Sequence, residues 1–324
     1  MDTVTGTLSA PVLSKPVKPV NRKWKHLREN APFLLMILPA VVVVFLFCYL
    51  PIYGVLIAFQ DFMPGDPILS KDTIWVGFEN FSRFFNDPQF WPLMKNTFLI
   101  CIFGFVIGFP LPIIISLTLN ALKSKKVGKT LQTIFTAPHF ISLVVLVGML
   151  SLFFGSGGLL ASIARHFGGE YESLFLKDSA FRPLYILSSN WQDFGWSAVI
   201  YIAALSNVDP QQHEAAILDG ATRFQRVIHV DLPAIMPTIA IMLILRMGGL
   251  ISVGFEKAYL MQSPLNLSTS ELISTYVYKR GLSDFRRFSY GTAVSLFNTA
   301  INVTLMLITN YTSKKVTEDE ISVI

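Results

Sequence analysis

The residues best suited to chemistry in this chain lie in a short segment at positions 209–233. An Asp-Pro pair opens the segment, which is a typical helix start, and Gly220 interrupts the pattern further on. The spacing predicts two short helices that are joined at Gly220. Such helices can lie flat on a membrane, but anionic lipid would repel the carboxylates of Glu214 and Asp219. The composition therefore favours binding to a protein partner.

The sequence carries no recognisable arrangement for covalent catalysis. Ser, His and Asp residues are scattered without a triad motif, and there is no GxxxxGK[ST] phosphate-binding loop, so ATP would have to bind a separate subunit. Cys48 and Cys101 lie in apolar runs without metal-ligand spacing. We expect no catalytic residue, no metal site and no cofactor held by this chain.

Arg246 is the clearest ionisable residue within an apolar stretch. It follows Pro233 by 13 residues, which is about 20 Å along a helix and places it near the middle of a bilayer. Ionisable groups inside a membrane cost about 2.5–3.5 kcal/mol, so they normally face other helices or water. Arg246 is therefore expected either to line a path for carboxylates or sugar hydroxyls, or to form a structural pair.

A polar and aromatic stretch before the 209–233 segment suits a sugar ligand. On a helix, Asp193 and Trp196 share one face, where an aromatic ring can cover the apolar side of a sugar. Packing between helices and a belt of interfacial Trp explain the same residues equally simply, and Glu256 can lie in water. The candidate residues of a substrate path are Asn190, Trp191, Asp193, Trp196, Tyr201, Arg246 and Glu256.

The composition points to a membrane protein. Of the 324 residues, 52% are hydrophobic and 15% are charged, and the mean hydropathy is +0.53. Soluble domains carry about 25% charged residues. The net charge of +5 is distributed in short runs beside apolar segments, which argues against a nucleic-acid partner and for contact with membrane lipid.

Six segments approach the roughly 20 apolar residues that a membrane-spanning helix needs. They lack the alternation of a membrane strand, so the predicted fold class is an all-α membrane protein with six transmembrane helices. Pro110 and Pro112 predict a kink in the second segment. The predicted spans are Phe33–Phe59, Thr97–Leu122, Leu131–Phe154, Leu184–Ser206, Pro237–Phe255 and Tyr290–Tyr311.

Short basic clusters, such as the one at 123–129, predict that the N-terminus and the C-terminus are both cytoplasmic. The predicted organisation is a cytoplasmic tail at 1–30, a first transmembrane helix with an outer loop at 31–92, a core at 93–312 that includes the 209–233 segment, and a cytoplasmic tail at 313–324.

Two of the predicted outer segments have unusual compositions. Residues 60–96 are rich in aromatic side chains, and Glu79–Asp87 is predicted to form a short helix at the membrane surface or a docking face for an extracytoplasmic partner. Residues 257–287 are basic although they are predicted to lie outside. This charge either forms a docking surface or is tolerated because long loops cross membranes despite their charge.

The 209–233 segment resembles the EAA loop of bacterial ABC importer permeases. In that family the loop forms a coupling helix that sits in a groove of the cytoplasmic ATPase. The resemblance implies that small residues permit close approach, that Glu214 and Asp219 face basic groups of the ATPase, and that Gly220 allows the turn. The matching residues are Glu214, Ala215, Ala216, Asp219, Gly220, Ala221, Leu232 and Pro233, together with Val230, where the family prefers Ile.

The resemblance also implies an architecture and a set of partners. The fold would be a type I ABC importer permease-like bundle in the bacterial inner membrane. The partners would be a second, homologous permease subunit, two ATPase subunits that bind ATP and Mg, and an extracytoplasmic sugar-binding protein.

Further motifs are similar to the polysaccharide/lipoprotein-type branch of carbohydrate permeases. They are Tyr49–Gly54, Trp75–Asn80, Pro138–Ser142 and Glu271–Tyr278, and the resemblance runs from about residue 30 to the C-terminus. This branch is associated with complex, often acidic, oligosaccharides, and the chain is similar to the larger permease subunit of alginate importers. The expected function is ATP-driven import of an oligosaccharide or polysaccharide, with an acidic one such as alginate as a candidate.

Two rival functions remain at the level of sequence. A secondary transporter or channel would show inverted repeats and intramembrane acids, whereas we find no clear repeat and only Asp193 as such an acid. A membrane enzyme or assembly scaffold would need a catalytic cluster near the membrane surface, and none stands out.

Overall fold

The computed structural model describes residues 30–251, 254–283 and 287–316, with side chains described up to Tyr311. In these ranges the regular elements are helices, apart from an isolated bridge between Gln60 and Trp75. The chain divides after Gly54 into two compact units.

The first unit is built on an apolar helix, α1 (Ala31–Val44). A wide π turn (Phe45–Tyr49) follows, in which the Leu50 N–H donates to the Phe45 carbonyl, and then a 3₁₀ segment runs over Leu50–Phe59. Pro51 has no N–H to donate, which favours a departure from α-helical bonding here.

The second unit contains the remaining helices. In chain order they are α2 (Glu79–Phe85), α3 (Phe90–Gly108), α4 (Pro110–Asn120), α5 (Lys125–Thr136), α6 (Leu143–Phe154), α7 (Leu159–His166), α8 (Asp178–Leu205), α9 (Pro210–Leu218), α10 (Arg223–Arg226), α11 (Leu232–Gly248), α12 (Phe255–Met261), α13 (Leu267–Ser270), α14 (Ile273–Val277) and α15 (Phe288–Val316). A 3₁₀ turn (Ala137–Phe140) and two π turns (Val227–Asp231 and Tyr278–Ser283) join some of them.

Among the described residues, five segments are long and apolar enough to cross a membrane. The all-α membrane class is therefore confirmed. A further long helix, α8, has 28 residues and would extend about 42 Å, but its polar side chains keep its hydropathy below that of the other five. The five segments are Ala31–Phe59, Phe90–Asn120, Leu143–His166, Arg223–Gly248 and Phe288–Tyr311.

The second span is interrupted where the prolines predicted a kink. Helix α3 ends at Gly108 and helix α4 begins at Pro110. Gly108 lies against α8 so closely that a Cβ at this position would collide with the Asn190 side chain. The lack of a side chain at Gly108 thus allows the second span to approach α8.

The third predicted span, Leu131–Phe154, is wrong as a continuous helix. The chain leaves α5 at Thr136, passes through the 3₁₀ turn and starts α6 at Leu143. Pro138 disfavours a continued helix, and the Ser142 hydroxyl accepts a hydrogen bond from the Val145 N–H, which caps the new helix.

The fifth predicted span, Pro237–Phe255, has different bounds in the structure. A continuous helical run begins at Arg223, passes through the π turn before Pro233 and ends at Gly248. The Leu232 N–H donates to the Val227 carbonyl in this wide turn. The predicted end at Phe255 is wrong because a glycine pair at 248–249 ends the helix earlier.

Helix α8 packs against α3, α4, α5 and α11. A buried cluster around its first turns contains Phe181, Tyr185 and Ile186, which meet Ile100 of α3 and Val147 of α6. Further along the helix, a Cβ at Gly195 would collide with the main chain of α5 at Phe135 and Thr136. The contacts identify α8 as a central helix of the second unit.

Several described residues of the predicted basic outer loop contact the helices. The Asn96 side-chain amide donates to the carbonyls of Ser268 and Glu271, and Arg182 donates to the Asn96 side-chain oxygen. Lys279 forms an ion pair with Glu271. These polar groups of the loop are thus bonded within the chain.

The predicted surface helix at Glu79–Asp87 is present as α2, which is confirmed as a helix over Glu79–Phe85. Phe84 of this helix is buried against Tyr276 and Tyr290. The Tyr276 hydroxyl donates to the Asp87 carboxylate over 2.6 Å, and burial, followed by this hydrogen bond, raises the pKa of Tyr276. The aromatic residues here therefore have a structural role in packing.

Gly195→Val should destabilise the protein because its side chain would push α5 away from α8. Overpacking of this kind costs about 1–3 kcal/mol. We expect a lower midpoint of thermal unfolding in detergent. Gly148→Val is the matched control, since Gly148 is also a helical glycine but a Cβ there would meet nothing within 4 Å. An equal decrease in the unfolding midpoint for both variants would contradict the close packing of α5 against α8 at Gly195.

Candidate functional site

The 209–233 segment folds as two short helices that local signals define. The Asp209 carboxylate accepts from the Gln211 N–H over 2.9 Å and caps α9. Gly220 then takes a φ of +77°, a conformation that other residues rarely adopt. Thr222 and Gln225 form a capping box at the start of α10. The predicted helix start and the turn at Gly220 are both confirmed.

The segment presents an apolar surface beside its carboxylates. Leu218 is 88% exposed and Phe224 is 73% exposed, and the side chains of Glu214 and Asp219 are also exposed. Ala215 is exposed, while Ala216 and Ala221 are half-buried. An apolar surface of this kind is typical of a docking site for another protein.

The segment is fastened to the membrane helices through Asp231, which is 2% exposed. Its carboxylate accepts from the Asn120 side-chain amide over 3.2 Å and pairs with His213 over 3.1 Å. Asn120 ends the second span, and His213 belongs to α9. Asp231 was not among the candidate residues, although a lone Asp before Leu232-Pro233 was a signal in the sequence.

A polar cavity of about 470 Å³ opens between α3, α8 and the end of α11. It brings together three of the predicted path residues, Asn190, Asp193 and Arg246. Ser189 and Gln192 of α8 also line this polar cavity. Asn190 and Asp193 lie on α8, whereas Arg246 lies on α11 more than 50 positions away, so the folding of α11 beside α8 creates the site.

Lys257 lines the polar cavity and was assigned from the sequence only to the basic outer loop. It is 4% exposed, its ammonium donates to the Ser189 hydroxyl over 2.7 Å, and it lies 5.1 Å from the centre of the Tyr185 ring. Burial lowers the pKa of Lys257 to about 8, so the group is still mostly protonated at neutral pH. Lys257 does not contribute to an exposed docking surface.

Asn190 has unused hydrogen-bonding capacity. The residue is 8% exposed, and its side-chain nitrogen has no hydrogen-bond partner within the described part of the chain. A buried amide without a partner is costly, so such a group commonly awaits water or a ligand. Asn190 is also one of the residues that line the polar cavity.

The other predicted path residues do not line the polar cavity. Trp196 stacks on His139, with the ring centres 4.7 Å apart, and His139 pairs with Asp193 over 3.2 Å. Tyr201 is buried in a cluster with Leu117, Leu205 and Ile235. Trp191 and Glu256 are exposed elsewhere on the chain.

Residues 108–318 match the family described as binding-protein-dependent transport system inner membrane component. The chain belongs to this family. Two relatives come from Bacillus subtilis (strain 168). The polygalacturonan/rhamnogalacturonan transport system permease protein YteP is 41% identical over 288 residues, or 89% of each chain. Protein LplB is 37% identical over 316 residues, which are 97% of this chain and 98% of LplB.

Two crystal structures contain chains similar to this permease. One shows a bacterial ABC transporter involved in import of the acidic polysaccharide alginate; its chain is 34% identical, with a TM-score of 0.82, and 92% of this permease and 100% of that chain are covered. The other shows a bacterial alginate ABC transporter in complex with an alginate pentasaccharide-bound periplasmic protein. Its matching chain is 32% identical, with a TM-score of 0.83, and the match covers 93% of this permease and 100% of that chain.

These findings confirm the expected class of function. The protein is a multi-pass membrane permease of a sugar ABC importer, has the type I importer permease fold and is not itself an enzyme. The secondary transporter or channel considered from the sequence is therefore not the function of this permease. The system to which the family belongs depends on a binding protein.

Asp231→Ala should loosen helix α9, because it removes the acceptor shared by Asn120 and His213. Hydrogen bonds to a charged group contribute about 1.5–3 kcal/mol, so amide hydrogen exchange in 210–218 should become about 10- to 100-fold faster. Asp219→Ala removes an exposed carboxylate nearby and should have little effect. Equal exchange rates in the two variants would contradict the anchoring role of Asp231.

Proposed function

We propose that this permease imports an acidic oligosaccharide and that the polar cavity recognises its carboxylates. The observation that carries the proposal is the presence of two cations, Arg246 and Lys257, in one cavity with the unpartnered amide of Asn190. An arginine offers a planar fork of donors to a carboxylate, and the amide can bind a hydroxyl.

The charge balance of the polar cavity supports an anionic ligand. Arg246 and Lys257 are opposed by one carboxylate, that of Asp193, which also pairs with His139. Lys257 has no ion-pair partner within the described residues; its ammonium contacts Ser189 and the Tyr185 carbonyl. The names of two similar proteins, which refer to polygalacturonan/rhamnogalacturonan and to alginate, agree with this substrate class.

Arg246→Met and Lys257→Met should each weaken uptake of a uronate oligosaccharide and spare a neutral oligosaccharide of equal length. A hydrogen bond to a charged group contributes about 1.5–3 kcal/mol, so we expect a roughly 10- to 100-fold loss of apparent affinity for the uronate. The measurement is uptake into proteoliposomes that contain the complete importer.

Lys95→Met is the matched control for these two variants, because Lys95 is exposed and lies outside the polar cavity. It should leave both uptake rates unchanged. If Arg246→Met and Lys257→Met lower the uptake of both sugars equally, or of neither, the recognition of substrate charge by the polar cavity is wrong.

The proposed energy source is ATP, bound with Mg by two separate ATPase subunits. The 209–233 segment would dock on one of them through Leu218, Phe224 and the small residues of α9, with Glu214 and Asp219 facing basic groups. Because the segment continues into α11, a movement of the docked ATPase would be transmitted along α11 to the polar cavity. The importer would further contain a second, homologous permease and an extracytoplasmic sugar-binding protein, and both termini of this chain would be cytoplasmic.

Gly220→Val should uncouple ATP hydrolysis from transport. A β-branched residue is strained at a φ of +77°, at a cost of about 1–3 kcal/mol, so α9 would change its direction relative to α10. We expect the ratio of sugar imported to ATP hydrolysed to fall, measured on the complete importer in proteoliposomes.

Gly168→Val controls for backbone strain alone, since Gly168 has a φ of +73° and a Cβ there also meets nothing within 4 Å. It should preserve the ratio of sugar imported to ATP hydrolysed. A ratio that is unchanged in Gly220→Val as well would refute the coupling role of the segment.

A further inference from the structure

A second cavity lies between the 209–233 segment and the end of the second span. It has a volume of about 330 Å³ and is lined by Lys123, Arg223, Arg226, His213 and Asp231, among others. We name it the basic cavity. It is separate from the polar cavity, with which it shares no lining residue.

The basic cavity has more positive than negative charge. Lys123, Arg223 and Arg226 supply three cations, whereas the lining carboxylate is that of Asp231. This carboxylate is already engaged by Asn120 and His213. A cavity with such an excess of cations favours an anion.

Arg226 provides an independent sign of a missing partner. Its Nε atom is buried and has no hydrogen-bond partner among the described residues. A buried guanidinium nitrogen without an acceptor is costly, so a bound oxygen would remove this cost. A phosphate group has several oxygens and suits the donors of two arginines.

The position of the basic cavity favours a membrane lipid as the source of such a phosphate. The span Phe90–Asn120 ends at the cavity, and the span Arg223–Gly248 begins there. Residues at the ends of two spans lie at the level of lipid headgroups. We propose that the basic cavity binds the phosphate of an anionic phospholipid.

Such a lipid would act on the 209–233 segment. The cavity contains His213 and Asp231, the pair that fastens α9 to the membrane helices, and Arg223 and Arg226 of α10. A phosphate that bridges α10 and Lys123 holds the segment at a fixed height relative to the second span. Anionic lipid therefore stabilises the segment in the orientation in which it meets its partner.

The test uses the complete importer in nanodiscs made of phosphatidylcholine alone or of an equal mixture with phosphatidylglycerol. Native mass spectrometry gives the phosphatidylglycerol retained on the permease. Arg226→Gln should reduce this retention about fivefold, the effect of one basic residue at an anionic membrane surface. Arg223→Gln should also reduce the retention of phosphatidylglycerol. Because Arg223 is exposed, this variant tests the proposal even if Arg226→Gln misfolds.

Lys126→Gln is the matched control, because Lys126 is exposed, lies near Lys123 in sequence and does not line the basic cavity. It should retain as much phosphatidylglycerol as the unaltered protein. Equal retention in all four proteins would overturn the proposal. Retention does not require transport, so this outcome is independent of the substrate proposed above.

Hydrogen exchange of 210–218 in the same nanodiscs distinguishes the lipid from free phosphate. Phosphatidylglycerol should slow exchange in the unaltered protein and not in Arg226→Gln. If inorganic phosphate in phosphatidylcholine nanodiscs slows it equally, the ligand is soluble phosphate and the lipid proposal is wrong. If neither phosphatidylglycerol nor inorganic phosphate slows the exchange, no phosphate in the basic cavity stabilises the segment and the proposal is overturned.

Discussion

The arrangement of this permease depends on one continuous helical run, from Arg223 through α11 to Gly248. One end carries the exposed 209–233 segment, and Arg246 in its last turn lines the polar cavity. An α-helix is stiff along its axis, so a displacement at one end reaches the other with little loss. The hydrogen bond of Asp231 with Asn120 fixes the near end of this run to the second span, and its bond with His213 fixes that end to α9.

Polar side chains are tolerated on helix α8 because they form hydrogen bonds with main-chain groups of neighbouring segments that would otherwise lack partners. The Gln192 amide donates to the Ile141 carbonyl over 2.7 Å, beside the break between α5 and α6. Irregular backbone at membrane depth is tolerated only where protein or water satisfies it. The break between α5 and α6 is therefore stabilised by the polar side chains that lower the hydropathy of α8. The same helix also provides a wall of the polar cavity.

Features set by neighbouring residues could be predicted from the sequence, and features set by distant contacts could not. Asp209 and Gly220 act within a few positions, so the helix start and the turn were predictable. Lys257 was assigned to an outer loop, and its burial could not be predicted because it depends on a contact with Tyr185, 72 positions away. The bond between Asn120 and Asp231 spans 111 positions, so the sequence showed the lone Asp but not its partner. The broken third span was missed because its apolar composition outweighed Pro138.

The π turn at Val227–Asp231 determines which way Arg246 points. A π turn contains one residue more than an α-helical turn in the same length, so it rotates everything beyond it by about 100° around the helix axis. Without this extra residue, the guanidinium would face another side of the bundle. The direction of a charge inside the membrane is thus determined by a single additional residue near the opposite end of the helix, where the chain meets Pro233.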